Sequence, residues 1–170
     1  MPKLQLALDN ISLEDAFRLV EQLESKIDIV EVGTPLVLKY GLKAVSELKH
    51  KFHSLEILCD AKIMDAGGYE SGITFAAGAD WVTVMAFTDT ATIEQCVEAS
   101  KKARGKVMAD MLCVTDLPGR VSVLEELGID CIAVHTGVDQ QRLGQTALDD
   151  LRELKRYVKK SKIAVAAGIT

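Results

Sequence analysis

Aromatic residues make up only 5% of the 170-residue chain, too few for a platform on which unpaired bases stack. An excess of positive charge is also missing. Twenty basic residues face 25 acidic ones, for a formal net charge of -5, so no general attraction to nucleic acid or to an anionic membrane surface is expected. No apolar run approaches the ~20 residues of a membrane helix. The opening Met1-Pro2-Lys3-Leu4-Gln5 runs into a strand-like segment without a signal-peptide core. The four cysteines, Cys59, Cys96, Cys113 and Cys131, form no C-x-x-C pair, and three lie in apolar runs. They read as reduced thiols of a cytoplasmic protein and argue against a zinc site or a disulfide framework. Linkers and low-complexity tracts are absent, so one domain over residues 1–170 is expected.

What is present is 48% hydrophobic and 26% charged residues, the balance of an ordinary globular domain. Short apolar runs alternate with helical patterns. Leu4–Leu8, Ile27–Val32, Leu55–Cys59, Trp81–Met85, Lys106–Met111, Cys131–Val134 and Ile163–Ala167 read as strands, recurring every 23 to 32 residues, the spacing of successive βα units. Ser12 is placed to cap a helix over Leu13–Leu23. Thr34-Pro35 reads as an N-cap and first helical residue, with Ala44, Val45 and Leu48 as the apolar face of the helix that follows. Ile93 and Val97 mark a further helix, Val121, Leu124 and Leu127 another opened by Asp116, and Leu148, Leu151, Leu154 and Val158 the last. Gly78, Gly105 and Gly128 stand where left-handed helix caps are common.

Strict alternation implies a parallel sheet, either doubly wound or a barrel. In the first strand Leu4, Leu6 and Leu8 share one face and Gln5, Ala7 and Asp9 the other. A polar inner face is easier to place inside a barrel. Seven strands and six helices are expected, against the eight strands of a complete (β/α)8 TIM barrel. The expectation is therefore a barrel cut short in or after strand seven.

Polar residues collect at the carboxyl ends of these strands: Asp9, Glu31, Asp60 with Lys62, Asp110 and His135, with Asp65 just beyond. In parallel α/β folds that end carries the active site. Clustered carboxylates raise one another's pKa, and a hard divalent cation, Mg²⁺ for preference, relieves the repulsion between Glu31 and Asp60. The same carboxylates hold Lys62 as an ammonium, an electrostatic stabiliser rather than a Schiff-base amine. His135 is the candidate proton carrier, while His50 and His53 lie in a polar surface stretch.

The segments Leu4-Gln5-Leu6-Ala7-Leu8-Asp9, Val30-Glu31-Val32-Gly33-Thr34-Pro35, Asp60-Ala61-Lys62-Ile63-Met64-Asp65, Asp110-Met111 and His135-Thr136-Gly137-Val138-Asp139-Gln140-Gln141 resemble the 3-hexulose-6-phosphate synthases, a branch of the orotidine-5′-monophosphate decarboxylase suprafamily of phosphate-binding barrels. The resemblance implies an aldol addition of formaldehyde to D-ribulose 5-phosphate through an enediolate, with Mg²⁺ on Glu31 and Asp60. It implies His135 as base, Lys62 as stabiliser, and Asp9, Asp110, Thr136 and Gly168 at the substrate. It also implies a homodimer in which Asp65 reaches the partner subunit's site. The related 3-keto-L-gulonate-6-phosphate decarboxylases share barrel, metal and enediolate, but Thr136-Gly137 and Asp110 favour the synthase branch. The missing eighth strand, and Ala167 where that branch commonly has the first glycine of a Gly-Gly pair, leave a reading of another class, a non-catalytic truncated barrel.

Overall fold

The computed structural model describes residues 2–137, 140, 142–144 and 146–166. Seven strands form one parallel sheet in sequential order: β1 (Gln5–Leu8), β2 (Ile29–Val32), β3 (Glu56–Ile63), β4 (Trp81–Met85), β5 (Lys106–Asp110), β6 (Cys131–His135) and β7 (Lys162–Ala166). Helices α1 (Leu13–Leu23), α2 (Thr34–Tyr40), α3 (Lys43–Lys51), α4 (Gly67–Ala76), α5 (Thr90–Ala103), α6 (Leu117–Leu127) and α7 (Ala147–Leu154) fill the connections. This is the curled sheet of a (β/α)8 barrel, with β1 and β7 as its edges among the described residues.

The two-residue alternation of the strands sorts the core into two layers. Leu8, Val30, Val32, Ile57, Val82, Val107 and Ile132 face outward and pack with Val20, Leu36, Leu48, Ile93 and Leu124 of the helices. The opposite faces supply a smaller inner cluster of Ile29, Leu58, Trp81, Met108, Cys131 and Ala133. Above it, one step along the same strands, stand Glu31, Asp60, Thr83, Asp110 and His135. The apolar floor thus carries the polar rim toward the carboxyl ends. Leu6 and Leu8 pack against the outer layer as expected, but Leu4 is exposed and lies before β1.

One device stitches the amino-terminal ends. Asp28, Asp80 and Asp130 each immediately precede an even strand, and each accepts a backbone N–H from within or just before the preceding odd strand: Leu4 at 2.8 Å, Ile57 at 2.7 Å and Val107 at 2.9 Å. Their carbonyls then accept from Glu56, Lys106 and Lys162 at the start of the odd strand after. Strand-end N–H groups that would otherwise lack partners are satisfied in both directions.

Several local expectations are corrected. The helix opened by Thr34-Pro35 starts one residue earlier, with Gly33 as N-cap, and breaks at Gly41 (φ 63°), which separates α2 from α3. Left-handed residues close α5 and α6, but at α5 the residue is Arg104 (φ 57°) and not Gly105. Leu148 is exposed, leaving Ala147 and Leu154 as the buried positions of α7. Ser12 and Asp116 cap α1 and α6 through their side chains, as their positions suggest. Cys59, Cys96 and Cys131 are buried, Cys113 is exposed, and all four are free thiols.

Candidate active site

Five strands deliver the rim, and their inward faces bring most of the expected residues together. Lys62 is the hub. Its Nζ lies 2.9 Å from Asp60 Oδ2 and 2.9 Å from Asp110 Oδ2. Asp110 Oδ2 is also 2.8 Å from His135 Nδ1, and Asp110 Oδ1 accepts from the Leu112 N–H at 2.9 Å. The result is a continuous line, Asp60–Lys62–Asp110–His135, across β3, β5 and β6.

Burial alone would lower the Lys62 pKa, but the charges of Asp60 and Asp110 outweigh it and hold the amine above its ordinary value. Burial would likewise raise Asp110, yet the His135 hydrogen bond and the Lys62 charge keep its carboxyl below the usual carboxylate range. The same hydrogen bond, against burial, raises His135 above the ordinary histidine value. An ionised carboxylate only accepts hydrogen bonds, so Nδ1 carries the proton toward Asp110 and Nε2 is left for a reactant.

Glu31 stands on β2 between β1 and β3. Burial, then the Asp60 charge, push it up to about 7, against a hydrogen bond donated by Gln5 Nε2. Asp60 is more richly served: Thr34 Oγ1 reaches its Oδ2 at 2.7 Å and Thr83 Oγ1 its Oδ1 at 2.8 Å. Asp9 keeps an exposed side just past the end of β1, and partial loss of water around its carboxyl, then the Asp60 charge, raise its pKa. Gly33 leaves it room, since a Cβ at that position would lie 2.2 Å from Asp9 Oδ1 and 2.8 Å from the Leu8 carbonyl.

Asp60 and Lys62 both face inward, but not through the regular extended alternation expected. Between Cys59 and Ile63 the β3 register slips against β4, and Lys62 takes a left-handed backbone (φ 47°). The Thr136 side chain is fully buried and donates to Asp150 Oδ2 at 2.8 Å, which ties β6 to the first turn of α7. Both Asp110 oxygens accept from protein donors, so this carboxylate holds Lys62 and His135 in place. Asp65 is exposed on the β3–α4 loop, where its Oδ1 accepts from the Ala66 N–H at 2.7 Å. Gly168 and Ala167 lie outside the described residues. His50 and His53 are exposed, away from the rim.

Gln5, Thr34 and Thr83 belong to the site but escape a search for charged strand ends. Thr83 had a sequence signal: it is the one hydroxyl in Trp81-Val82-Thr83-Val84-Met85, a strand buried throughout.

Two carboxylates from adjacent strands can hold a hard cation through oxygen. Their mutual repulsion, visible in the raised Glu31, fits that use. Among the described residues no cluster of three or more acidic, histidine or cysteine side chains is arranged to hold a metal. A cation on Glu31 and Asp60 would complete its shell with water or substrate. Nor, among the described residues, is any helix long and apolar enough to cross a membrane.

Comparison with known proteins agrees with this geometry. Residues 2–170 match the family model described as "Orotidine 5'-phosphate decarboxylase / HUMPS family". The 3-hexulose-6-phosphate synthase of Bacillus subtilis is 47% identical over 167 residues, which cover 98% of this chain and 80% of that protein. The crystal structure of 3-hexulose-6-phosphate synthase from Salmonella typhimurium superposes with a TM-score of 0.95 at 48% identity, covering 99% of this chain and 80% of that one. The 3-keto-L-gulonate-6-phosphate decarboxylase structure from Vibrio cholerae follows with a TM-score of 0.83 at 30% identity, covering 97% and 87%. With its seven barrel strands, its carboxylate–lysine–histidine rim and a match over nearly its whole length, the chain belongs to the orotidine 5'-phosphate decarboxylase / HUMPS family.

Proposed function

We propose that this protein catalyses the aldol addition of formaldehyde to D-ribulose 5-phosphate, giving 3-hexulose 6-phosphate. The observation that carries the reading is the Asp60–Lys62–Asp110–His135 line on the inner face of the barrel, in a chain that shares nearly half its residues with proteins named 3-hexulose-6-phosphate synthase.

His135, held through Nδ1 by Asp110, presents Nε2 to take a proton from C1 of the ketose. The electron pair left on C1 is delocalised into the neighbouring carbonyl, forming an enediolate. Lys62, kept as an ammonium by its two carboxylates, stabilises the negative oxygen. C1 of the enediolate then attacks the formaldehyde carbon as the C2 carbonyl re-forms, and the oxygen of the former aldehyde takes the proton carried by His135 to become a hydroxymethyl group. Asp9, exposed at the rim, binds substrate hydroxyls. Mg²⁺ held by Glu31 and Asp60 would supply electrostatic stabilisation to the ketose oxygens. The working unit is a homodimer, with Asp65 reaching from its exposed loop toward the partner subunit's site.

Purified protein mixed with ribulose 5-phosphate, formaldehyde and Mg²⁺ should consume formaldehyde and yield a six-carbon sugar phosphate by mass spectrometry. Added chelator should suppress the reaction. Turnover of 3-keto-L-gulonate 6-phosphate in its place, with formaldehyde untouched, would overturn the assignment in favour of the decarboxylase branch.

A further inference from the structure

We infer that Thr83 is a positioning residue of this site, setting both Asp60 and Lys62 through a single hydroxyl. The argument starts from the mismatch between β3 and β4. Cys59 pairs with Val82 and Ile63 with Val84. Three residues of β3, Asp60, Ala61 and Lys62, therefore stand opposite one residue of β4, which is Thr83. Extra residues on one strand bend it and re-aim their side chains, and here the re-aimed residue is the hub lysine.

The bulge needs support of its own. Lys62 has φ 47°, a backbone conformation that residues with side chains rarely adopt. Its N–H cannot follow the regular ladder and donates instead to Thr83 Oγ1 at 2.9 Å. The same oxygen donates its proton to Asp60 Oδ1 at 2.8 Å. A backbone amide can only donate and an ionised carboxylate only accept, so the hydroxyl's direction is fixed and both of its roles are used. Thr83 is only 4% exposed, and a buried hydroxyl is tolerated where its hydrogen bonds are made.

The consequence for Lys62 is geometric. Its Nζ sits 2.9 Å from Asp60 and 2.9 Å from Asp110 because the bulge aims it between them. Without the hydroxyl, the Lys62 N–H loses its acceptor and Asp60 loses a donor. The bulge is then free to relax, and the ammonium moves off the line that leads to His135. Thr83 touches no reacting atom and acts through Lys62 and Asp60. The kinetic part of this inference rests on the proposed reaction; the clamp itself rests on the bulge and the two hydrogen bonds of the Thr83 hydroxyl.

The test uses the full chain carrying Thr83→Val, which keeps the shape and removes the hydroxyl, beside Thr83→Ser, which keeps the hydroxyl. Expected for Thr83→Val is a kcat lowered by about 10–100-fold, the range for losing a supporting contact to a site residue. The KM for ribulose 5-phosphate should change little, and amide hydrogen exchange at Lys62 should be faster. Thr83→Ser should restore most of the kcat and the slow exchange. Wild-type kcat in a folded Thr83→Val, or a Thr83→Ser as impaired as Thr83→Val, would overturn the inference. If Thr83→Val does not fold, Thr83→Ala carries the same comparison. If the wild type itself adds no formaldehyde, the proposed reaction fails; the clamp is then decided by Lys62 exchange, and unchanged exchange in Thr83→Val would overturn it.

Discussion

Asp110→Asn replaces one oxygen of the buried carboxylate that joins Lys62 to His135, keeping its shape and removing its charge. In the native protein this side chain accepts from Lys62 Nζ at 2.9 Å, His135 Nδ1 at 2.8 Å and the Leu112 N–H at 2.9 Å. The amide can still accept one such bond, but it loses the charge that strengthens the other two. Hydrogen bonds to charged groups contribute about 1.5–3 kcal/mol each, and breaking a buried pair costs about 3–5 kcal/mol. A loss of about 2–4 kcal/mol is expected, or roughly 4–16 °C in Tm for a chain of this size. The loss should depend on pH with a definite sign. Asp110 has a lowered pKa, so its contribution is present above the ordinary carboxylate value of 3.8 and is lost as pH falls through the folded value. His135 has a raised pKa, so its contribution is full below its ordinary value of 6.5 and is lost as pH rises through the folded one. The gap between native and variant should therefore be widest between these limits, near pH 5.5, and narrower at pH 8.5, where Lys62 still keeps part of it. Urea unfolding at both values reads the gap. In the same variant kcat/KM should fall by about 10²–10⁴-fold, the contribution of a positioned proton carrier, and the rising limb of its pH profile should shift to lower pH. An equal gap at both pH values, or an unmoved limb, would refute the pairing of Asp110 with His135 as the organising contact.

Three further outcomes are expected. Gly33→Ala should raise the KM for ribulose 5-phosphate with little change in secondary structure by circular dichroism, because its Cβ would meet Asp9 Oδ1 at 2.2 Å; an unchanged KM would remove Asp9 from the substrate. Glu56→Gln should cost about 1 kcal/mol at pH 7, since Lys3, Trp81 and Lys106 all donate to this half-exposed carboxylate and hold it at about 2, against burial. That difference should be present above pH 4.5 and fade in urea titrations as pH falls toward 2. Mixing Asp65→Ala with Lys62→Ala should restore part of the activity that each lacks alone, through hybrid dimers with one intact site; no restoration after verified subunit exchange would place Asp65 within its own subunit's site or outside catalysis.

How much of the site could be read in advance depends on how local each cause is. Asp9, Glu31, Asp60, Asp110 and His135 sit at the ends of apolar runs, and their inward direction follows from a two-residue period, so composition and spacing suffice. The contact made by Thr136 has a different kind of cause. A hydroxyl one residue past a strand end looks the same whether it faces a ligand or anchors a helix, and only the docking of α7 brings Asp150 within 2.8 Å. The strand-capping roles of Asp28, Asp80 and Asp130 carry no such local signal. Their partners, Leu4, Ile57 and Val107, lie more than twenty residues away in the chain and become neighbours only in the sheet.

The sequence by itself determined the alternation of strands and helices, the parallel order of the sheet and the anionic rim, because each rests on residue type and short-range period. Tertiary structure decided how that rim works. It placed Lys62 between two carboxylates, joined Asp110 to His135, and inserted three residues of β3 against one of β4. The physical reason is that a bulge and a buried hydrogen-bond line are properties of pairs of strands. Thr83 is an ordinary β-branched strand residue in its own segment, and it acquires a role only when Asp60 and Lys62 are laid beside it.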